Sequence, residues 1–314
     1  MKLAAIDIGT NSTRLLITDY RNKEFFPLER KMEITRLGRG VDKNKTILKD
    51  SARKTLDVLS DYRRILMDYD VNKCRTVGTS AVREALNRDW FVSYVYENLG
   101  MRIDVISGRE EARLGFYGAV RSMDSNHPAC KSKTGAAILE LDIGGGSTEF
   151  VLGDCNCNPE LIESVDMGSV NLTERFIGSG RPDKGDLIKM RRYITNKLEE
   201  IIGKIKLHKS LLVIGVAGTI TTLAAIDLKL KAYDTEKIHG YVLNLERIEE
   251  IRDHLCGLDL KERKKVTGLD PARADIIIAG TEIILTILKI LGRREILVSE
   301  RDILDGIIYT LIDF

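Results

Sequence analysis

One internal repeat constrains this chain more than any other feature. The segments Ala5-Ile6-Asp7-Ile8-Gly9-Thr10-Asn11-Ser12-Thr13 and Glu140-Leu141-Asp142-Ile143-Gly144-Gly145-Gly146-Ser147-Thr148 align under a shift of 142 − 7 = 135 residues. Asp, Ile, Gly, Ser and Thr coincide, and Asp19 falls on Asp154. Each copy begins as an apolar strand, turns through small polar residues and enters a second apolar run, Arg14 to Asp19 or Glu149 to Leu152. Both read as two strands joined by a tight turn. The period is the length of a domain, so the pattern implies duplicated domains rather than a solenoid. At roughly 100–200 residues per domain, a 314-residue chain holds two.

Elsewhere strands and helices alternate. Leu56, Leu59, Tyr62, Leu66 and Tyr69 recur at helical spacing, followed by a strand at Arg75 to Thr79 and a helix ending near Leu99. A strand at Arg102 to Ile106 precedes a helix from Arg109 to about Val120. In the second half, Leu187, Met190, Ile194, Leu198, Ile201 and Ile205 mark a long helix. A strand from Leu211 to Gly215 then leads into a third glycine turn and a helix at Ile220 to Leu228. Ser122 to Thr134 reads as a linker, and Trp90 and Phe91 as helical core residues. The pattern is α/β, with mixed sheets flanked by helices.

Composition excludes several functions. A net charge of +2 leaves no strongly basic nucleic-acid arm, and 6% aromatics argue against a base-stacking platform. The most apolar stretch, Ile276 to Leu291, is interrupted by Glu282 and Lys289 and reads as a buried helix, not a membrane span. The short run Leu3 to Ile6 stops at Asp7 and is no signal peptide. Five scattered cysteines without a CxxC pair fit a reducing cytoplasm better than a disulfide framework. Cys155 and Cys157 read as a hairpin tip, and the four histidines lack metal-ligand spacing.

The three turns suggest phosphate chemistry. Gly9-Thr10-Asn11-Ser12, Gly144-Gly145-Gly146-Ser147 and Gly218-Thr219 combine glycines, which let backbone N–H groups approach an anion, with hydroxyl donors. Asp7 and Asp142 end the strands beside two of them. Carboxylates next to phosphate call for a divalent cation, and Mg²⁺ suits such oxygen ligands, with Glu149 a further candidate; alternatively the two aspartates only hydrogen-bond turn amides. Ser107 and Glu110 have the spacing of a capping box. Glu111, which that box does not explain, is either a carboxylate that orients or deprotonates water or a surface residue favoured by the helix dipole. Arg14, Arg83 and Arg273 lie near the turns and are candidates for bidentate phosphate contacts. The Lys261 to Lys265 run is a possible polyanion rim, although charge runs are usually solvated faces.

These residues resemble the exopolyphosphatase / guanosine pentaphosphate phosphohydrolase (Ppx/GppA) family of the actin-like ATPase superfamily. The two glycine turns alone indicate the superfamily. Thr79-Ser80-Ala81-Val82-Arg83 and Ser107-Gly108-Arg109-Glu110-Glu111-Ala112 narrow the resemblance to the family. It implies two ribonuclease-H-like lobes with the active site in the cleft between them: residues 1–122, residues 123–300, and a C-terminal helix, 301–314, packing back on the first. It also implies that Glu111 is the catalytic carboxylate, that Asp142 and Glu149 (with Asp7 a further possibility) hold Mg²⁺, and that Arg83 binds phosphate, with Arg14 and Arg273 as further contacts. One segment departs from the family pattern. Where the family usually has Gly and Arg, this chain has Asp302 and Leu304.

The implied activity is Mg²⁺-dependent removal of the terminal phosphate of inorganic polyphosphate, processive if the chain threads the cleft. The alternative is hydrolysis of guanosine pentaphosphate to ppGpp, as in the stringent response. A kinase of the same superfamily and a non-catalytic nucleotide sensor are more distant alternatives. No nucleic-acid or membrane partner is expected, and pairing of two copies is left open.

Overall fold

The computed structural model describes residues 1–122, 137–178, 180–205 and 211–312. Nearly all of the expected linker, along with His127 and His208, lies outside them. The chain divides into two compact units, Met1–Gly118 with Ile303–Phe314, and Ala119–Asp302.

The first unit is built on a five-stranded sheet of order β3-β2-β1-β4-β5. The strands are β1 (Lys2–Ile8), β2 (Thr13–Arg21), β3 (Glu24–Glu33), β4 (Lys73–Gly78) and β5 (Asp104–Val105). β1 pairs antiparallel with β2 and parallel with β4, so the sheet is mixed. Its helices are α1 (Val41–Asn44), α2 (Lys49–Asp68), α3 (Ser80–Glu84), α4 (Arg88–Leu99), the start of α5 (Gly108–Arg121) and the last helix of the chain, Ile303–Thr310. Alternation along β1 sorts its side chains onto two faces. Ala4, Ile6 and Ile8 pack with Leu59 and Tyr62 of α2 and Phe91 and Val95 of α4. Leu3 and Ala5 pack on the other face with Leu114 of α5 and with Ile303, Leu304 and Ile307. The last helix fits closely there, because a Cβ at Gly306 would fall 1.9 Å from the Leu114 carbonyl oxygen. Trp90 is not a core residue as expected: it is 39% exposed and stacks on Tyr94 one turn along, while Phe91 is fully buried. Adjacent helical positions point in different directions, so only one of the two reaches the sheet.

The second unit carries a six-stranded sheet of order β10-β11-β9-β6-β7-β8. Its strands are β6 (Ala137–Ile143), β7 (Thr148–Gly153), β8 (Pro159–Val165), β9 (Leu211–Val216), β10 (Val242–Asn244) and β11 (Glu295–Val298). Its later helices are α6 (Ser169–Leu172), α7 (Lys184–Ile205), α8 (Ala217–Asp227), α9 (Thr235–Ile238), α10 (Leu245–Gly257), α11 (Leu260–Arg263) and α12 (Ile277–Leu291), which makes Ile303–Thr310 α13. Leu139, Leu141, Ile143, Phe150 and Leu152 face a large core shared with α7, α8, α10 and α12. α12 is buried from Ile277 to Leu288, including Glu282. That carboxylate is gripped by Arg191 at 2.7 and 2.9 Å and by Arg252 at 2.8 Å. Such pairing is what permits a buried charge within an apolar helix.

Cys74, Cys157 and Cys256 are free thiols, and Cys155, in the β7–β8 turn, is disulfide-bonded. The scattered cysteines do not announce that bond. No helix among the described residues is long and apolar enough to cross a membrane.

Candidate active site

Both copies of the repeat fold into the same turn. In the first unit the Gly9 N–H donates to the Ser12 carbonyl at 2.9 Å; in the second the Gly144 N–H donates to the Ser147 carbonyl at 3.0 Å. The carbonyl oxygens within each turn are held from outside. Thr10 O and Asn11 O accept from the Gly38 and Arg36 amides. Gly144 O and Gly145 O accept from the Ser169 and Val170 amides, and Gly146 O accepts from Asn171 Nδ2 at 2.7 Å. The N–H groups of Thr10, Asn11 and Ser12, and of Gly145, Gly146 and Ser147, make no hydrogen bond among the described residues. Buried amides need acceptors, and a run of them in a turn forms an anion-binding concavity. Glycine is required at one brace: a Cβ at Gly168 would sit 2.3 Å from the Gly145 carbonyl.

In the first unit the sheet register places Arg14 opposite Asp7. Arg14 Nε and Nη2 both donate to Asp7 Oδ2, at 3.0 and 2.7 Å. Asp7, only 4% exposed, therefore has its charge met by a guanidinium rather than by turn amides alone. Arg83, on α3 after the Gly78-Thr79 turn, donates through Nη1 to Glu111 Oε2 at 2.7 Å and to the Ile106 carbonyl at 3.3 Å. Glu111 lies in the first turn of α5. Burial pushes its carboxyl up to about 7, against the opposing pull of Arg83, with Asp7 adding to the rise and Arg14 subtracting from it. The capping box closes on one side only. The Glu110 amide bonds Ser107 Oγ at 3.1 Å, but the Glu110 carboxylate accepts from Arg75 instead.

In the second unit the equivalent register places Glu149 opposite Asp142. Glu149 is 1% exposed and accepts from Ser164 Oγ at 2.8 Å. Glu140 lies two residues before Asp142 on the same face of β6, fully buried, and neither of its carboxylate oxygens finds a hydrogen-bond partner among the described residues. Desolvation, then Asp142, Glu149 and Asp302, push its pKa well above the ordinary carboxylate range. Glu140 and Asp302 were not singled out as site residues. The signal for Glu140 was an acid at i, i+2 from Asp142 in an otherwise apolar strand. In the sequence Asp302 stands out only as a departure from the family pattern. Leu304, at the position where the family usually has arginine, is 1% exposed and packs in the first unit, so no cation stands there.

The third turn repeats a feature of the first unit. Thr79 Oγ1 donates to Ile8 O at 3.3 Å, and Thr219 Oγ1 donates to the equivalent Ile143 O at 3.1 Å. Thr219 is thus committed through its hydroxyl to the neighbouring strand. Gly218 is shaped by Arg273: a Cβ there would lie 1.9 Å from Arg273 Nη1. Arg273 closes the short turn Pro271–Arg273, whose Asp270 carboxylate accepts from the Ala272 amide at 2.9 Å. Arg263, 1% exposed, braces the next residue by donating from Nη1 to Ala274 O at 2.9 Å.

Among the described residues, no three Asp, Glu, His or Cys side chains are arranged as a complete metal cage. Mg²⁺ does not need one, since it is typically held by one or two carboxylates together with water and substrate phosphate. Paired acids at Asp142 and Glu149 beside an anion-binding turn fit that donor set.

The sheets, duplicated turns and acid–arginine clusters define an actin-like ATPase-type fold built for phosphate chemistry. The sequence profile of the Ppx/GppA phosphatase family matches residues 16–313, and the chain belongs to that family of phosphatases. The chain is 35% identical to Exopolyphosphatase 2 of Mycobacterium tuberculosis over 99% of this chain and 98% of that protein. It is 38% identical to the bifunctional 3-dehydroquinate synthase/phosphatase of Fusobacterium nucleatum over 97% of this chain, but spans only 46% of that longer protein. Among solved structures, an exopolyphosphatase from Cytophaga hutchinsonii superposes with a TM-score of 0.90 at 28% identity, covering 100% of this chain and 98% of the other. The Ppx/GppA family member of Aquifex aeolicus gives 0.82 at 28% identity, covering 99% and 97%.

Proposed function

We propose that this chain is a Mg²⁺-dependent exopolyphosphatase that hydrolyses the terminal phosphoanhydride of inorganic polyphosphate. The observation that carries the reading is Glu111, a half-buried carboxyl near pKa 7, tethered to Arg83 and lying within the electrostatic reach of Asp7 and Arg14. A group that titrates near working pH is suited to accept a proton from water. Arg83 holds the carboxylate in place, and Arg14, held by Asp7, is presented for phosphate oxygens. In the first unit the amides of Thr10 to Ser12, and in the second those of Gly145 to Ser147 with Arg273 over Gly218, are each suited to phosphate oxygens. Asp142 and Glu149 would hold Mg²⁺, which when bound neutralises charge on the phosphate oxygens. The name of the mycobacterial relative, matched over nearly its whole length, supports polyphosphate as substrate. Guanosine pentaphosphate presents the same terminal bond.

The test is phosphate release from long-chain polyphosphate and from guanosine pentaphosphate, assayed side by side with Mg²⁺ or EDTA. Release from polyphosphate that EDTA abolishes and Glu111→Gln lowers by roughly 10²–10⁴-fold is the expected result. Release from the nucleotide alone assigns alarmone hydrolysis instead. Unimpaired turnover by Glu111→Gln removes the proposed base.

A further inference from the structure

A surface pocket of about 520 Å³ opens on the second unit where the chain leaves α8. Lys229, Lys231 and Lys237 line it together with Tyr233 and Asp234. Asp234 is already engaged. It accepts from the Lys237 amide at the start of α9, and its carboxylate pairs with Lys237 Nζ at 3.0 Å. No carboxylate stands within ion-pairing distance of Lys229 or Lys231 among the described residues. Two uncompensated ammonium groups therefore share one concave surface, a location that attracts anions.

Tyr233 connects this pocket to the third turn. Its ring lines the pocket, and its hydroxyl donates to Glu300. The same phenol lies within electrostatic reach of Thr221, in the first turns of α8, and of Arg273. The loop thus folds back along α8, from the lysines at one end of the helix toward the Gly218–Arg273 contact at the other. Glu300 is the opposing charge beyond the tyrosine, and its amide is held by His239 Nδ1 at 3.3 Å.

We propose that this pocket is a second anion subsite, which takes phosphates of a linear polyanion beyond those at the Gly218–Arg273 turn. The inference rests on the polyphosphate reading and deepens it. A chain of phosphates long enough to leave the turn gains the lysines, whereas a short one ends before them. The subsite makes affinity depend on chain length and gives that dependence a steep salt sensitivity.

Binding is measured without turnover, in EDTA, with long-chain polyphosphate and with tripolyphosphate as probes. Lys229→Glu/Lys231→Glu should weaken the long chain by about tenfold at low salt, flatten its salt dependence and leave tripolyphosphate unchanged. Lys229→Arg/Lys231→Arg should retain the long-chain affinity, and thermal melting checks that both variants fold. Unchanged long-chain affinity in the Glu variant overturns the subsite alone. An equal loss for both probes also overturns it, because the effect is then general electrostatics. Failure of the unaltered protein to bind either probe overturns the substrate reading and the subsite together.

Discussion

The two copies of the repeat share a backbone and differ in charge. Under the 135-residue shift, Ala5 falls on Glu140, Asp7 on Asp142 and Arg14 on Glu149. The registers agree, Asp7 with Arg14 and Asp142 with Glu149. The pair in the first unit is thus balanced in charge, with two guanidinium N–H groups of Arg14 donating to Asp7 Oδ2. The second gathers Glu140, Asp142, Glu149 and Asp302, with a carboxylate at the position that Arg14 holds in the first. Like charges in a low-dielectric site repel strongly unless one is protonated or a cation intervenes. On the proposed reading the two copies of the scaffold serve different tasks: the arginine of the first would meet phosphate, and the acids of the second would hold a metal. For Asp7 this weakens the case for metal ligation that its position beside a phosphate turn first suggested.

The sharpest way to break the comparison is to make the second unit resemble the first. In Glu149→Arg, the introduced guanidinium should pair with Asp142 as Arg14 does with Asp7. Phosphate release at saturating Mg²⁺ should fall by roughly 10²–10³-fold, the scale of losing a main electrostatic contact at the reacting group. Retained turnover with an unchanged Mg²⁺ titration would show that the acid pair is not the metal site.

The next largest effect is a pH profile that belongs to the first unit. With Glu111 near 7, kcat/KM should climb through neutrality and at pH 6 stand about tenfold below its alkaline plateau. The stability contribution has the opposite sign. A carboxyl whose folded pKa lies above its unfolded value stabilises the protein below the unfolded value, and that contribution is lost as pH rises through about 7. Glu111→Gln should therefore melt progressively higher than the unaltered chain between pH 5 and pH 8 while losing activity. A constant difference in Tm across that range would mean that Glu111 is solvated and ionised throughout.

A third substitution separates the acids of the second unit. Glu140 occupies the position of Ala5, yet its buried oxygens lack hydrogen-bond partners among the described residues. Its neighbours on that face of the sheet include Ile138 and Val151. Replacing an unpartnered buried carboxyl with an apolar side chain of similar size removes a desolvation cost of about 1–3 kcal/mol. Glu140→Leu should raise the denaturation midpoint accordingly. A fall would show that the carboxylate is held by something its hydrogen bonding does not reveal.

Much of this was legible in the sequence because it is written locally. An aspartate at a strand end followed by glycine and hydroxyl residues specifies a turn whatever surrounds it, and both turns form as read. Glu111 could be separated from Glu110 because the capping geometry uses the Ser107 hydroxyl and the Glu110 amide. Pairings set by tertiary packing were not legible. Nothing local to Arg83 says that it reaches α5, nothing in Gly218 says that an arginine fifty-five residues later lies on it, and Trp90 and Phe91 differ only in which way the helix turns them. The acid at Glu140 was visible, but its isolation depends on strands and residues far along the chain.

The smallest expected effect concerns how the two units diverge at the next strand. Val77 lies beside Asp7, and Thr79 follows two residues later; Val216 lies beside Asp142, and Thr219 follows three residues later. Both threonines nevertheless reach the equivalent carbonyls, Ile8 O and Ile143 O. The second unit absorbs its extra residue at Ala217, which has φ 65, a left-handed conformation that L side chains disfavour. Strain of this kind persists where the surrounding structure fixes it, here between the strand and the Gly218–Arg273 contact. Ala217→Gly relieves it in the folded state but gives freedom to the unfolded chain, and these two terms oppose each other. The relief of about 1–2 kcal/mol is the larger, so the net change should be a stabilisation of at most about 1 kcal/mol. Denaturant unfolding reads that gain, and an unchanged KM for polyphosphate confirms that the turn keeps its shape. A destabilised variant with a raised KM would show that the alanine methyl group itself holds the loop, making the extra residue part of the site rather than a spacer.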